Sequence, residues 1–215
     1  VIQIGLDPLF SDYPLRGFAS DITLAGIPRL TLLALKEALL SIGLDAAKVN
    51  SRCEHWRQKN LAQRKSWQEK TESIQDSHPI DMGWVSACIG QRLDNRTIVI
   101  NEYTLDTTQT CFTRPGTYFR HSPAASLGWG LGAALGAKLA RPDHKVICCV
   151  GDGAYMFGVP VAAHHVAQAN RLPILFIVFT NGYWNASRQT AFNYAPDGYA
   201  ARAKSVPLCE ISPSL

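Results

Sequence analysis

Apolar positions along this chain form short solid runs and longer spaced ones, and their alternation sets the expected architecture. Val1–Gly5 reads as a buried strand closed by an Asp–Pro turn, and Ser20–Ala25 as a second strand. Leu30, Leu32, Leu33, Leu35, Leu39 and Leu40 then recur close to helical spacing. Further along, Thr97–Ile100 is a β-branched strand and Thr117–Arg120 a short candidate. Lys145–Val150 (KVICCV) ends on Gly151, and Pro173–Phe179 is a strongly apolar strand. Ile80–Arg92, the Gly/Ala-rich Leu127–Leu139 and Phe157–Asn170 read as helices between them. Buried strands alternating with helices predict an α/β fold with a parallel sheet covered on both faces.

Residues 50–77 break the pattern. Arg52, Arg57, Lys59, Arg64, Lys65 and Lys70 are set against Glu54, Glu69 and Glu72, with Trp56, Leu61 and Trp67 as the main apolar anchors. Mixed charge without aromatic interleaving is the mark of a solvated helix rather than a nucleic-acid surface. The expected division is therefore 1–49 as the last part of an α/β domain, 50–77 as a helical linker, and 78–215 as a second α/β domain, incomplete at its C-terminus. The first residue lies inside a strand with no initiator Met, which leads us to expect a piece of a longer protein.

Composition narrows the function classes. In 215 residues, Lys+Arg number 21 and Asp+Glu 17, a net charge of only +4, which argues against a dedicated nucleic-acid binder. An apolar share of 47% with 18% charged residues argues against a disordered chain. The longest apolar run, Ile174–Phe179, is far too short to span a bilayer, and no signal-peptide pattern is visible at the N-terminus. The six cysteines form no CxxC pair, which excludes zinc-ribbon spacing. Cys148 and Cys149 are expected to pack as small hydrophobes, and the usage as a whole fits a reducing, cytoplasmic setting. A small molecule, not nucleic acid or a membrane, is the expected partner.

The chemistry concentrates at Gly151-Asp152-Gly153, where the KVICCV strand ends, and at Thr180-Asn181-Gly182, after the next strand. Ligands of open α/β sheets sit beyond the carboxyl ends of parallel strands. If the two strands are neighbours, the Asp152 carboxylate, the Asn181 amide oxygen and a backbone carbonyl at Tyr183 offer hard oxygen ligands suited to Mg²⁺. Flanking glycines let the backbone approach a ligand closely, and the start of the following helix favours a phosphate. The ordinary alternative is that Asp152 only caps that helix.

GDG followed, after a helix and a strand, by Asn resembles the signature of thiamine diphosphate enzymes. Asp152 and Asn181 stand 29 positions apart, close to that family's spacing. The family more often has two Asn residues where this chain has Thr180-Asn181; the second is the metal ligand, so the departure spares it. Ser126-Leu127-Gly128-Trp129-Gly130-Leu131-Gly132-Ala133-Ala134-Leu135-Gly136 is similar to the segment before GDG in acetolactate synthase, benzoylformate decarboxylase and their relatives. The resemblance implies that Leu127 wedges the cofactor into a bent shape and that the Ala125 backbone meets its aminopyrimidine. It further implies that Thr104, in Asn101-Glu102-Tyr103-Thr104, reaches the diphosphate, with Gly151, Gly153 and Ala154 against the cofactor. Asp152, Asn181 and Tyr183 then hold Mg²⁺. It covers roughly residues 78–200 and identifies the fold as a truncated thiamine diphosphate-binding fold, preceded by the end of an α/β central domain.

The activity so implied is decarboxylation of a 2-oxo acid, carboligation, or both, by a homo-oligomer in the full-length protein. The family's activating Glu lies on a pyrimidine-binding domain that nothing here matches, so the chain alone is expected to be inactive and no catalytic acid or base is named. His121, just before the cofactor-facing loop, is a weak candidate for handling protons, and His164 and His165 are expected to be structural. Tyr183-Trp184-Asn185-Ala186-Ser187-Arg188 departs from acetolactate synthase and is nearer to benzoylformate decarboxylase. Residues 191–203 have the composition of a mobile flap.

Two other readings compete. One is an NAD-type dinucleotide-binding domain, since Gly130, Gly132 and Gly136 mimic a nucleotide fingerprint with Asp152 about 20 residues on. The stretch before Gly130 is, however, a poor buried strand. The other is a non-catalytic paralogue, against which the intact Asp152 and Asn181 argue.

Overall fold

The computed structural model describes residues 1–13, 19–120, 126–203 and 209–211. It divides into two compact units, Val1–Gln63 and Arg64–Leu215. In the first, β1 (Ile2–Gly5) and β2 (Ile22–Ala25) pair in parallel, with Ile2 opposite Ile22. Helix α1 (Pro28–Ile42) opens on a proline, whose missing N–H costs nothing in a first turn, and stops at Gly43 with φ 82°. Its leucines do form a helix, but Leu30, Leu32, Leu33, Leu35, Leu39 and Leu40 are all exposed. Helix α2 (Ala46–Ile74) runs 29 residues without one buried side chain and contributes to both units. Its mixed charges meet along the surface, as in the 2.6 Å Arg57–Glu54 pair.

The second unit is built on four parallel strands in the order β4-β3-β5-β6. Along the chain α3 (Met82–Gly90) precedes β3 (Thr97–Glu102), and α4 (Thr107–Thr110) leads to β4 (Tyr118–Arg120). Helix α5 (Trp129–Ala140) crosses to β5 (Lys145–Gly151). Then come α6 (Asp152–Phe157), α7 (Pro160–Ala169) and β6 (Leu175–Phe179), followed by α8 (Asn185–Tyr194) and α9 (Tyr199–Arg202). This is the expected α/β architecture of a parallel sheet flanked by helices. No described helix is long and apolar enough to cross a membrane.

The period-2 alternation of strand side chains builds two cores. Ile98, Ile100, Val146, Cys148 and Val150 pack with Leu131 and Ala134 of α5 and Ala163 of α7. Val99, Ile147 and Cys149 pack on the opposite face with Ile89 of α3 and Leu105. Cys148 and Cys149 therefore face opposite ways, both fully buried, as the small hydrophobes they were expected to be. Burial pushes the Cys149 thiol up to about 12 and raises Cys148 as well.

Three elements differ from the sequence expectation. The helix expected over Phe157–Asn170 is α7, which starts only at Pro160, with α6 a separate helix before it. Pro160 has no N–H for a continuing helix, and Val159 turns left-handed, φ 53°, to redirect the chain. Helix α5 starts at Trp129 rather than Leu127 because Gly128 is left-handed, φ 85°. Residues 191–203 carry the end of α8 and all of α9, where loop composition had suggested a flap.

Strand order decides where a ligand can sit. From β3 the chain moves outward to β4, and from β5 it moves the other way to β6, so their connections diverge. The crevice beyond the carboxyl ends of β3 and β5 is the topological switch point.

Leu131 is 1% exposed and packs against both strands that border this crevice. Leu131→Ala should cost about 2–5 kcal/mol in urea unfolding of the chain, through lost transfer energy and a residual cavity. A loss below about 1 kcal/mol would contradict the core position.

Candidate functional site

Three chain segments reach the crevice, and backbone hydrogen bonds to side chains fix each of them. At the end of β5, Asp152 is 8% exposed and forms the first residue of α6, not a position before it. Its Oδ1 accepts from Gly153 N at 2.9 Å. Its Oδ2 accepts from Asn181 N at 2.9 Å and Gly182 N at 2.7 Å. One carboxylate thus ties the end of β5 to the end of β6, and Asp152 does more than cap its own helix. A carboxylate offers about four acceptor positions; three are taken, which leaves one, on Oδ1, for a ligand.

Asn181 lies beside Asp152 as expected, but its side chain is turned into its own turn. Oδ1 accepts from Tyr183 N at 2.9 Å and keeps one acceptor position. The turn is held from outside by residues 209–211, where Trp184 N donates to Cys209 O at 2.7 Å and Ile211 N to Gly182 O at 2.9 Å. That antiparallel bridge pairs Tyr183 with Glu210 without using the Tyr183 carbonyl. Arg188 stacks over the Tyr183 and Phe192 rings at 5.2 and 4.9 Å.

Gly153 is required by the neighbour, not by its φ. A Cβ there would stand 2.7 Å from Trp184 Cε3 and 3.3 Å from Ile211 Cδ1. Ala154 is 6% exposed and its methyl belongs to the core, so only its backbone faces the crevice side of α6. Gly151 sits against Thr104, whose Cγ2 would be 3.9 Å from a Cβ added at Gly151. Thr104 and the GDG turn are therefore neighbours across the switch point.

Thr104 is held by Asn101. The Asn101 Oδ1 accepts from Thr104 N and Leu105 N, both at 3.0 Å, and from the Thr104 hydroxyl at 3.3 Å. Its amide donates to Tyr118 Oη at 2.9 Å. The Thr104 hydroxyl must leave its long bond to Asn101 to donate to a ligand. Leu127 precedes α5 and is 39% exposed. Ala125 and His121 lie outside the described residues. His164 has a structural partner, Tyr155, with 2.7 Å between Nε2 and Oη.

Sequence reasoning missed Asn101 and Glu102 as organisers of the site. Glu102 is 1% exposed and accepts from Gly128 N and Gly130 N, both at 2.7 Å. The available signal was two consecutive polar residues ending an otherwise apolar, fully buried strand, TIVINE. The same bonds weaken the dinucleotide reading. A pyrophosphate would need the N–H groups at the start of α5, and a carboxylate already occupies them.

The donor set at Asp152 and Asn181 is all oxygen, and among the described residues no group of three or more His, Cys, Asp or Glu is placed to hold a metal. One carboxylate, one amide oxygen and one backbone carbonyl suit a hard cation that takes its remaining ligands from an anionic cofactor and water. The residues present therefore fit a Mg–diphosphate group.

Comparison with known proteins agrees with this geometry. Residues 100–210, more than half of the chain, match the family model for the thiamine pyrophosphate enzyme, C-terminal TPP binding domain. Benzoylformate decarboxylase of Pseudomonas aeruginosa is 37% identical over 99 residues, 46% of this chain and 18% of that protein. Acetolactate synthase isozyme 2 large subunit of Escherichia coli K12 is 26% identical over 136 residues, 57% of this chain and 24% of its own length. The thiamine diphosphate-dependent 4-hydroxybenzoylformate decarboxylase of Rhodococcus jostii RHA1 superposes with a TM-score of 0.52 at 26% identity, covering 62% of this chain and 24% of that one. The chain spans a quarter or less of the length of these relatives.

Two glycines before and within α5 should behave oppositely. A Cβ at Gly128 would meet the Gly158 backbone at 2.7 Å, whereas one at Gly132 meets nothing within 4 Å. Gly128→Ala should destabilise the chain by more than about 1 kcal/mol, from left-handed strain plus overlap. Gly132→Ala should stabilise it by up to about 1 kcal/mol, as a helix-interior Gly→Ala change does. Urea unfolding of the two variants checks the order, and a reversed order would refute the packing described.

Proposed function

The chain belongs to the thiamine pyrophosphate enzymes, within their C-terminal TPP-binding domain, and from that premise we propose that the protein acts on 2-oxo acids with thiamine diphosphate and Mg²⁺ held at the β3–β5 crevice. The reaction is decarboxylation, carboligation, or both. The observation that carries this reading is the Asp152 carboxylate bonded to the backbone of both Asn181 and Gly182, with an acceptor position left over.

Asp152 Oδ1, the Asn181 amide oxygen and the Tyr183 carbonyl are the proposed cation ligands. Thr104 is the proposed diphosphate contact, and Leu127 the apolar contact that bends the cofactor. Gly151 lets it approach closely, and the Gly153 and Ala154 backbones are the proposed contacts beside it. When bound, thiamine diphosphate supplies a nucleophilic thiazolium carbon and an electron sink for the loss of carbon dioxide from a 2-oxo acid. This chain's residues anchor and orient it, while the buried ends of β3 and β5 exclude water beneath it. Residues 1–49, 50–77 and 78–215 are proposed to be the end of a central domain, a linker helix and the diphosphate-binding domain.

In the full-length protein, thiamine diphosphate should quench tryptophan fluorescence only when Mg²⁺ is present. A response to NAD(H) instead would overturn the reading in favour of a dinucleotide domain, and silence to both would favour a non-catalytic paralogue. Asp152→Ala should weaken Mg²⁺-dependent binding by more than the roughly 10–100-fold that loss of an outer-shell partner costs. Retained affinity would mean that the metal ligands are misassigned.

The chain by itself should turn over neither pyruvate nor other 2-oxo acids, because the activating Glu is assigned to a domain that nothing in it matches. Turnover by the purified chain would refute that assignment.

A further inference from the structure

Asn101 and Glu102 end β3 with side chains pointing to opposite faces, as strand geometry requires. Asn101 shapes residues 103–105 on one side. On the other, Glu102 reaches the start of α5 through two bonds of 2.7 Å to Gly128 N and Gly130 N. The carboxylate is buried, and among the described residues no cation pairs with it. Its charge is met by backbone N–H groups and by the positive end of the α5 dipole. Both glycines that donate to it are closely packed. A Cβ at Gly130 would stand 2.9 Å from Glu102 Oε2 and from Val150 Cγ1, and Gly128 abuts the Gly158 backbone.

Leu127 is the residue immediately before this clamp. Its own side chain is 39% exposed, so packing alone does not fix its height above the sheet. The two clamped N–H groups do, because they set the backbone on which Leu127 stands. The cradle formed by Asp152, Gly153, Asn181 and Gly182 shares no hydrogen bond with Glu102.

We propose, resting on the reading of Leu127 as the cofactor's apolar contact, that Glu102 is a positioning residue that sets the Leu127 segment independently of the diphosphate cradle. Glu102→Gln keeps the volume but turns an NH₂ toward one of the two backbone donors. It therefore separates thiamine recognition from diphosphate recognition, which a general loss of structure would not do.

The test uses the full-length protein with Glu102→Gln, and reads amide hydrogen exchange without cofactor and binding in the presence of Mg²⁺. Exchange at Gly128 and Gly130 should rise about tenfold or more, the effect of losing a charge-assisted bond, with Gly153, Asn181 and Gly182 within about twofold of the unaltered protein. Thiamine diphosphate affinity should fall about tenfold while inorganic diphosphate affinity stays within about twofold. Should Glu102→Gln fail to fold, Glu102→Asp retains the charge but is one methylene too short for both donors. It should free at least one of the two glycines and show the same selective loss. Unchanged exchange at Gly128 and Gly130, or equal loss of both ligands, overturns the proposal. Failure of the functional reading would look different, as absence of thiamine diphosphate binding by the unaltered protein.

Discussion

A single buried carboxylate, Asp152, fastens the ends of two parallel strands to each other. Parallel strands share a direction but are joined by long crossovers, so nothing in the ladder itself fixes how the turns beyond their ends are placed. Asp152 supplies that constraint with three backbone N–H bonds, one to its own helix and two to the turn after β6. The segment at residues 209–211 closes the same turn from its other side. Gly153 follows from this arrangement, because the Trp184 ring lies where a Cβ would go.

Asp152 and Glu102 together explain the electrostatic character of the crevice. They sit near the ends of adjacent strands, and among the described residues neither has a Lys or Arg partner. Both are solvated by backbone N–H groups, which stabilise an ionised carboxylate without cancelling its charge. Glu102 is 1% exposed and held at the start of α5, so its negative field is internal. Asp152 retains an acceptor position, so its field is available to a ligand. A divalent cation balances that field, and an anionic diphosphate in turn balances the cation, which is the physical logic of the donor set found here.

What the sequence disclosed, and what it did not, follows from where each interaction keeps its information. The Asp152–Asn181 relation was legible because both residues end apolar strands, and strand ends of a parallel sheet lie at one edge. The central strands β3 and β5 were legible because apolar runs buried on both faces have few alternatives. Glu102 was not legible, because its partners are backbone N–H groups at Gly128 and Gly130, which carry no side-chain signature. The start of α7 was written in Pro160, but the apolar residues just before it drew the expected start back to Phe157. The leucines of α1 predicted the helix but not that they lie exposed, since periodicity reports an apolar stripe and not what covers it.

The two acids also divide the work of the strand ends. A site for a long, two-ended ligand needs independent control of each end, or a change that improves one contact would displace the other. The GDG turn and the Asn181 turn form one rigid group through Asp152. The Leu127 segment and the first turn of α5 form another through Glu102. The groups meet through the sheet, where Glu102 pairs with Val150 one residue before Gly151, and where Gly128 abuts Gly158 at the end of α6; their carboxylate anchors are separate. That separation lets the polar end of the crevice hold charge with fixed geometry, while the apolar end retains a side chain of its own height and shape.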